Sequence, residues 1–390
     1  MKRFRYSMLL FFAAAVFVAA GLVSRPLLSG TWQAAAGLAR TGDVDSFIDG
    51  VDAASRELRY KNELIDLWSL WYRLTDTREV VKEDATVLRL DNDFLAFSPA
   101  LADDETLTGM ADAVSGLKTV TDGLDIPLLY VLAPNKAALD RDGDNAVREN
   151  HLALARALEE RGISVLDLMP ELIAGGRSME DSWFRTDHHW LPQTGLWAAG
   201  ALCRALPEVP LNTAALAADG YRTQVYPRLF LGSEGKKVGR WFTPLGLDDF
   251  PLVTPAFATE LTVTDRTGTR SGDFSETVVQ ERYLEADDVY AANPYVTYTG
   301  GDFPLQVIQN HRMEEGPTLL VIRDSYACTV TPFLSLAAGE LHTVDVRYWQ
   351  GVAGADSITD YVELLKPDAV VILYAGVSPH MFAFDGEKAP

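Results

Sequence analysis

Residues 318–326 read Thr-Leu-Leu-Val-Ile-Arg-Asp-Ser-Tyr, and this stretch is the most informative about the class of fold. Its uninterrupted apolar run over 319–322 predicts a strand buried on both faces, as the strands of parallel sheets are. Asp324 and Ser325 follow after Arg323 and favour a turn into a helix, because both residue types cap helices. Open α/β sheets bind ligands at the carboxyl ends of their strands. The stretch therefore predicts a strand of such a sheet with a candidate site at its end.

The same alternation of apolar strands and amphipathic helices extends outward from this stretch. It favours a parallel sheet with helices on both faces. Residues 210–315 interrupt the pattern with Thr- and Tyr-rich stretches between Gly, Pro and Asp, which predicts a β-rich insertion. The predicted strands are 127–133, 163–166, 319–323, 341–346 and 369–374, with a short strand pair at 86–90 and 94–97. The predicted helices are 42–75, 108–122, 145–161, 192–205, 326–338 and 356–365.

Residues 1–25 form a separate segment that indicates export. Three positive residues, Lys2, Arg3 and Arg5, precede an uncharged run over 7–23, and Arg25 follows it. A cleaved signal peptide and an uncleaved membrane anchor both fit, and the anchor is favoured. The positive flank predicts a single-pass protein of the cell membrane with an extracytoplasmic domain, or a secreted protein if the segment is cleaved. The predicted organisation is an anchor at 1–25, a helical neck at 26–84 and one large domain at 85–390.

Composition excludes several classes of function. The chain has 390 residues, with 34 Lys and Arg against 55 Asp and Glu, so its net charge is −21. Nucleic acid is therefore not expected as a partner, since phosphate binding needs clustered positive residues. Cys203 and Cys328 are too few for a disulfide scaffold or a cysteine-based zinc site, and a single bridge between them stays open.

The densest imidazole site of the chain is Asp187-His188-His189-Trp190. In an extended segment residues two apart share a face, so Asp187 would meet His189 while His188 points away. A carboxylate on one ring nitrogen leaves the other nitrogen as a base. A structural Asp–His pair at the start of the next helix is the alternative. A metal site needs a further ligand, and no H-x-x-x-H pattern or cysteine lies near.

Ser325 completes a candidate set of nucleophile, base and orienting acid with His189 and Asp187. The alternative is that Asp324 or Ser325 only caps a helix. Asn135 and Lys136 end the strand at 127–133, where Asn135 would donate to an oxyanion and Lys136 would bind a substrate anion. A simple turn is the alternative there.

Together these motifs resemble the DHHW family, which belongs with the SGNH-hydrolase-like proteins of alginate acetylation and related cell-envelope acetyltransferases. The resemblance covers roughly residues 85–380 and includes the stretches 134–136, 230–237, 323–326 and 345–348. It implies an SGNH or flavodoxin-like doubly wound parallel sheet on an exported, membrane-anchored chain. It also places the D-x-H pair on Asp187 and His189, and the nucleophile on Ser325.

The activity that the resemblance implies is O-acetyl transfer to a cell-envelope polysaccharide, without a cofactor or metal. A membrane-bound O-acyltransferase would supply the acetyl groups, and the N–H of Ser325 or Tyr326 would hold the oxyanion. Trp190 and Tyr326 would stack on sugar rings or pack around the site. Arg323 replaces the glycine of the usual G-D-S block, which leaves open a contact with an acidic sugar. Alternatives are an esterase with water as acceptor, a non-catalytic glycan-binding or scaffold subunit and, third, a metal-dependent hydrolase.

Overall fold

The structure is a computed structural model. It describes residues 32–33, 36–37, 40, 61–82, 85–139, 146–285, 287–376 and 378–385. The predicted anchor at 1–25 lies outside the described residues, as does the part of the predicted helix at 42–75 that precedes residue 61. Among the residues described, no helix is both long enough and apolar enough to span a bilayer.

The centre of the fold is an eight-stranded sheet. Its strands are β4 (Leu128–Leu132), β5 (Ser164–Asp167), β8 (Leu261–Asp265), β9 (Gly268–Gly272), β10 (Leu305–Asn310), β11 (Thr318–Arg323), β12 (Glu340–Val344) and β13 (Ala369–Tyr374). Their order in the sheet is β5-β4-β13-β11-β12-β10-β8-β9. The first five strands in that order pair in parallel, whereas β10 pairs antiparallel with β12, β8 with β10, and β9 with β8.

The sheet is therefore mixed, which corrects the prediction of a wholly parallel one. Residues of the predicted insertion at 210–315 supply the three antiparallel strands, of which β10 pairs with β12 from Leu305 against Val344. Their polar, alternating sequences fit strands that are solvated on one face, and such strands occur in antiparallel pairs. The apolar runs that predicted parallel strands lie in the parallel part.

Helices cover both faces of the sheet because alternate residues of each strand point to opposite sides. Leu319 and Val321 of β11 pack into one apolar cluster, and Leu320 and Ile322 pack into the other. The first cluster includes residues of α4 (Leu168–Ala174), α5 (Pro192–Arg204) and α8 (Thr331–Leu334). The second includes residues of α2 (Asp104–Gly123), α3 (Ala146–Glu159) and α9 (Ile358–Leu365).

The helix predicted at 326–338 is the least regular of these elements. The chain forms a 3-10 helix over Ser325–Thr329 and a single α turn over Thr331–Leu334. Pro332 lies in that α turn, and proline lacks the N–H that a longer helix would need. The strand therefore leads into a tight turn rather than a long helix, and this keeps Ser325 at the edge of the sheet.

Smaller elements complete the large domain. A three-stranded antiparallel sheet contains β1 (Glu79–Val81), β2 (Thr86–Arg89) and β3 (Leu95–Ser98), and a two-stranded one contains β6 (Tyr221–Phe230) and β7 (Asp248–Pro255). The short helices are α6 (Ser233–Val238) and α7 (Phe274–Thr277). The described pair at β2 and β3 agrees with the predicted strand pair.

A second compact unit contains α1 (Lys61–Leu74) and residues 237–242. Within it, the Asp66 carboxylate accepts hydrogen bonds from the backbone N–H and the Nε–H of Arg240, at 2.9 and 2.6 Å. Gly239 has a φ of +95° and approaches the backbone of Ile65 closely, so the crossing of the two segments needs a residue without a side chain.

Candidate active site

The carboxyl end of β11 positions Ser325 through the carboxylate of Asp324. One oxygen of Asp324 accepts the N–H of Tyr326 at 2.9 Å, and the other accepts the N–H of Ala375, just past β13, at 2.8 Å. Burial raises the pKa of Asp324, and these two N–H groups offset only part of that effect. Asp324 thus caps the turn and ties it to the neighbouring strand, which leaves the hydroxyl of Ser325 available for another partner.

The loop that carries Asp187 and His189 is fixed from the outside by Asp248. This buried carboxylate accepts the N–H and the hydroxyl of Thr186, at 2.9 and 2.6 Å, and the N–H of Arg185 at 2.7 Å. The hydroxyl oxygen of Thr186 in turn accepts the N–H of Gly232 at 2.9 Å. The backbone before Asp187 is therefore held at several points, as a preorganised site requires.

Ser325, His189 and Asp187 form a continuous chain of hydrogen bonds, although Ser325 and His189 lie 136 positions apart in the sequence. The Oγ of Ser325 lies 2.9 Å from the Nε2 of His189, and the Nδ1 of the same ring lies 2.5 Å from the carboxylate of Asp187. Both distances suit a proton relay in which Nδ1 carries the proton and Nε2 accepts one, a tautomer inferred from the bonding. The folded chain thus brings together the three side chains selected from the sequence.

Asp187 is buried and negatively charged, and its partners stabilise that charge. Burial alone would raise the pKa of Asp187. The two adjacent imidazole rings and the hydrogen bonds from His189 and from the N–H of Ser233 outweigh burial and hold the pKa of Asp187 well below its ordinary value. The bond from Ser233 N–H to the second carboxylate oxygen is 2.6 Å. An ionised Asp187 fixes the orientation of the imidazole at neutral pH.

Gly232 and Ser233 are site residues that the sequence reasoning did not assign individually. A Cβ at Gly232 would overlap the Cβ of Asp187 and lie 2.5 Å from the carbonyl oxygen of Thr186. Only glycine therefore fits, and it brings the next N–H against the carboxylate. The sequence signal for these two residues is the motif at 230–237, in which Gly232 follows a strand.

Tyr295 is a second residue that sequence reasoning missed, and no pattern around it indicates its role. Its ring stacks on that of His189, with centroids 3.8 Å apart and planes inclined by 17°. Its hydroxyl donates to the carbonyl oxygen of Tyr326 at 3.1 Å. The ring thus supports the imidazole from within the region predicted as a β-rich insertion.

His188 does not point away from His189, which corrects the expectation from an extended segment. The two ring centroids are 3.8 Å apart, because the loop bends at these residues instead of forming a strand. The Nδ1 of His188 lies 2.7 Å from the hydroxyl of Ser233. Burial and the neighbouring His189 ring lower the pKa of His188, so its ring is neutral at pH 7.

Lys136 binds the protein's own loop and not a substrate anion. Its ammonium group is fully buried and donates to the carboxylate of Glu234 and the carbonyl of Asp187, both at 2.7 Å, and to the carbonyl of Phe184 at 3.0 Å. Burial raises the pKa of Glu234 to about 8, although Lys136 acts in the opposite direction. Lys136, which the sequence indicated as a substrate-binding group, therefore stabilises the loop that carries Asp187.

Arg323 is also enclosed. Its guanidinium pairs with Asp302 and donates to the carbonyl oxygen of Gly301 at 3.0 Å, and its side chain is 1% exposed. Arg347 bridges the same Asp302 to Asp345. The acidic-sugar contact left open by the sequence is thus not available to Arg323 in this structure. Cys328 lies 3.4 Å from the guanidinium, and both cysteines are free and buried, so no bridge joins Cys328 to Cys203.

The remaining predicted residues differ in their surroundings. Trp190 is fully buried and donates its Nε1–H to the carbonyl oxygen of Tyr326 at 3.0 Å, so it packs behind the site rather than facing a sugar. Tyr326 is buried and donates its hydroxyl to the carbonyl of His188. Asn135 is partly exposed, and its amide oxygen accepts the N–H of Ala137 at 3.0 Å. Within the described parts of the chain, the NH₂ group of Asn135 has no hydrogen-bond partner.

Asp187, His188 and His189 also cluster closely enough to suggest a metal site. The carboxylate, however, already accepts three N–H groups, from the backbone and the ring of His189 and from the backbone of Ser233. A metal ion would have to displace these donors. The arrangement is chemically better suited to proton transfer than to ligation.

Comparison with known proteins gives the class of the domain. Residues 97–234 match the family model described as the SGNH hydrolase-like domain of the acetyltransferase AlgX. This segment contains Asn135, Asp187 and His189, whereas Ser325 lies beyond it. This part of the chain is therefore similar to an SGNH hydrolase-like domain, in agreement with the resemblance seen in the motifs.

Particular solved structures share the fold. A DHHW family protein from Eubacterium siraeum DSM 15702 is 18% identical, with a TM-score of 0.58, and the match covers 80% of this chain and 98% of that one. PatB1 from Bacillus cereus, in a structure with a sulfonyl adduct, is 18% identical with a TM-score of 0.62, and the match covers 78% and 99% of the two chains. At these identities the likeness is one of fold. No curated protein sequence matches the chain.

Proposed function

We propose that this protein is an O-acyltransferase that moves an acetyl group onto a cell-envelope polysaccharide through an acyl-serine intermediate. The observation that carries the proposal is the hydrogen-bond chain from the Ser325 hydroxyl through His189 to Asp187. The likeness of residues 97–234 to an acetyltransferase domain supports acetyl as the transferred group.

The first half-reaction forms the intermediate. The Nε2 of His189 takes the hydroxyl proton of Ser325 while Oγ attacks the carbonyl carbon of the acetyl donor. The tetrahedral intermediate collapses as the same imidazolium returns the proton to the leaving group. Asp187 keeps its negative charge throughout and stabilises the imidazolium.

The second half-reaction releases the acyl group to a sugar. A sugar hydroxyl gives its proton to Nε2 of His189, and its oxygen attacks the acyl-serine carbonyl. Ser325 leaves with the proton from the imidazolium, which restores the starting state. Water in place of the sugar hydroxyl would give an esterase, so the acceptor that occupies the site decides between transfer and hydrolysis.

The oxyanion of both tetrahedral intermediates needs donors close to Ser325. The N–H of Ser325 begins the 3-10 helix, where an N–H has no acceptor within its own helix. The NH₂ group of Asn135 is the second donor that we propose. Tyr326, which the sequence offered as an alternative, already donates its N–H to Asp324.

Location and partners follow from the same proposal. We propose that residues 1–25 anchor the chain, that the domain is extracytoplasmic, and that a membrane-bound O-acyltransferase supplies the acetyl groups. Positive residues before an uncharged run favour this orientation.

Acyl-serine trapping tests the proposal directly. Incubation with p-nitrophenyl acetate should acetylate Ser325, as measured by the mass of the peptide that contains it. Ser325→Ala should abolish the adduct, and His189→Ala should slow its formation by about 10²- to 10⁴-fold, which is the usual contribution of a general base. Turnover at the wild-type rate in both variants would contradict the mechanism.

The chain offers a matched control for this experiment. Ser378 forms an exposed pair with His380, at 2.9 Å from Oγ to Nδ1. Ser378→Ala should therefore leave acetylation of Ser325 unchanged. Acetylation of Ser378 in the wild-type protein at a rate similar to that of Ser325 would mean that the reagent modifies serines without the proposed relay.

A non-catalytic glycan-binding or scaffold subunit is the second candidate, and a specific observation favours it. One of the expected oxyanion donors, the N–H of Tyr326, is engaged by Asp324. Each missing donor lowers the rate by about 10²–10³. Absence of an acyl-serine, together with saturable binding of an envelope glycan, would favour this candidate.

A further inference from the structure

A cleft of about 210 Å³ lies along α5, apart from Ser325 and His189, neither of which lines it. Gln193, Trp197, Gly200 and Arg204 contribute to its lining. Their spacing of four, three and four residues places them on one face of the helix. A Cβ at Gly200 would approach only the tip of Arg204, at 3.4 Å, so the glycine leaves the middle of this face open.

Arg177 closes the cleft from the segment that follows α4. Its guanidinium carbon lies 5.5 Å from the centre of the Trp197 ring, a cation–π contact. Burial lowers the pKa of Arg177, and Asp181 offsets only part of this effect. Among the residues that the structure describes, no acceptor forms a hydrogen bond with this guanidinium, so its N–H groups remain available.

The charge of the cleft is opposite to that of the protein. No Asp or Glu of the described residues lines it, although acidic residues outnumber basic ones by 55 to 34 in the whole chain. Arg204 approaches Glu171 only to 3.7 Å, and their side chains are 60% and 45% exposed, so this pair is weak. Two arginines thus face a space without a carboxylate in its lining.

Gln193 adds a polar group that lacks a donor. Its amide oxygen is buried, and no donor reaches it from the described residues. A buried acceptor without a donor is unfavourable, and a ligand hydroxyl would relieve it. Apolar walls from Leu196 and Tyr221 would contact the less polar part of the same ligand.

We propose that this cleft binds a small ligand that carries a carboxylate or phosphate group. The planar fork of a guanidinium matches two oxygens of either group, and the available N–H groups of Arg177 supply that fork. Gln193 accepts a hydroxyl of the ligand, and Arg204 adds a second positive charge. The site does not depend on acyl transfer at Ser325.

Calorimetric titration of the Ser325→Ala protein tests the proposal without interference from turnover. The probes are glucuronate for a carboxylate, glucose 6-phosphate for a phosphate, and neutral glucose. At least one anionic probe should bind saturably, while glucose should not, and the better anion identifies the preferred group. No saturable binding of either anion up to about 10 mM, or equal binding of glucose, would overturn the proposal.

Two substitutions locate the binding in the cleft. Arg177→Gln should weaken the binding of the anionic probe by about tenfold or more, as expected for loss of a hydrogen bond to a charged group. Gly200→Leu should block binding by filling the cleft, and leucine suits a helix better than glycine, so folding should be retained. Arg282→Gln is the matched control, because Arg282 stacks on Tyr283 at 4.9 Å elsewhere in the chain. Equal loss in Arg177→Gln and Arg282→Gln, or no loss in either cleft variant, would contradict the proposed site.

Discussion

Tyr295 and His189 show how a single contact positions a reacting group. A tyrosine face stacked on an imidazole restricts its rotation, and it attracts the ring when the ring is protonated. This electrostatic attraction between the two rings is strongest where water is excluded, and Tyr295 is 1% exposed. Tyr295 is thus a positioning residue that acts through His189.

Two replacements of Tyr295 separate the contribution of its ring to the rate from that of its hydroxyl. Tyr295→Phe keeps the stacked ring and should retain most of the acyl-transfer rate. Tyr295→Leu removes the ring face, and the rate should fall by about thirtyfold, the equivalent of about 2 kcal/mol for a desolvated cation–π contact. Rates of acetylation of Ser325 measure both effects. Because the ring does not touch the substrate in this proposal, KM should stay unchanged, and a loss confined to KM would contradict the assigned role.

Short segments between elements, rather than the elements themselves, set the geometry of the candidate site. The loop at 185–190 is held by Asp248 and Lys136, and the turn before α6 brings Gly232 and Ser233 against Asp187. A similar close approach occurs where Gly195 of α5 meets the carbonyl of Thr329. These contacts leave no room for a side chain. Even a methyl group at Gly232 or Gly195 should therefore affect function strongly.

Gly232→Ala tests the importance of this close approach. The new methyl group would overlap Asp187 and push its carboxylate out of line with His189, so the rate of Ser325 acetylation should fall by about 10²-fold or more. Gly123→Ala is the matched control, because nothing lies within 4 Å of a Cβ at Gly123, at the end of α2. The control should retain full activity. An active Gly232→Ala protein with unchanged kinetics would show that the turn relaxes without moving Asp187.

At the scale of the whole molecule, buried carboxylates couple stability to pH in opposite directions. Asp187 has a lowered pKa in the folded state, so its contribution to stability is present above the unfolded value of about 3.9 and is lost as the pH falls through the folded value. Burial raises the pKa of Glu234, so its contribution declines as the pH rises from about 4.3 towards 8. The net charge of −21 adds repulsion as the carboxylates ionise.

Asp187→Asn isolates the part of the stability that Asp187 contributes and that is lost in acid. The variant should be less stable than the wild type at pH 6, and the difference should shrink as the pH falls below about 4, by up to about 1.4 kcal/mol for each pH unit. Urea unfolding between pH 3 and pH 6 measures this difference. Asp219→Asn, at an exposed carboxylate, should follow the wild-type curve. A constant gap between Asp187→Asn and wild type at every pH would contradict the lowered pKa.

The five parallel strands, most of the covering helices and the three side chains of the candidate relay could be predicted from the sequence alone. Apolar runs and chemically distinct motifs are local properties, so each is readable without the rest of the chain. Three features became visible only in the folded chain: β8 to β10 extend the sheet through antiparallel pairs, Lys136 and Arg323 pair with Glu234 and Asp302 in buried surroundings, and Tyr295 stacks on His189. These features depend on partners distant in sequence, and whether a charged or aromatic side chain faces solvent or a partner is settled only when the chain packs.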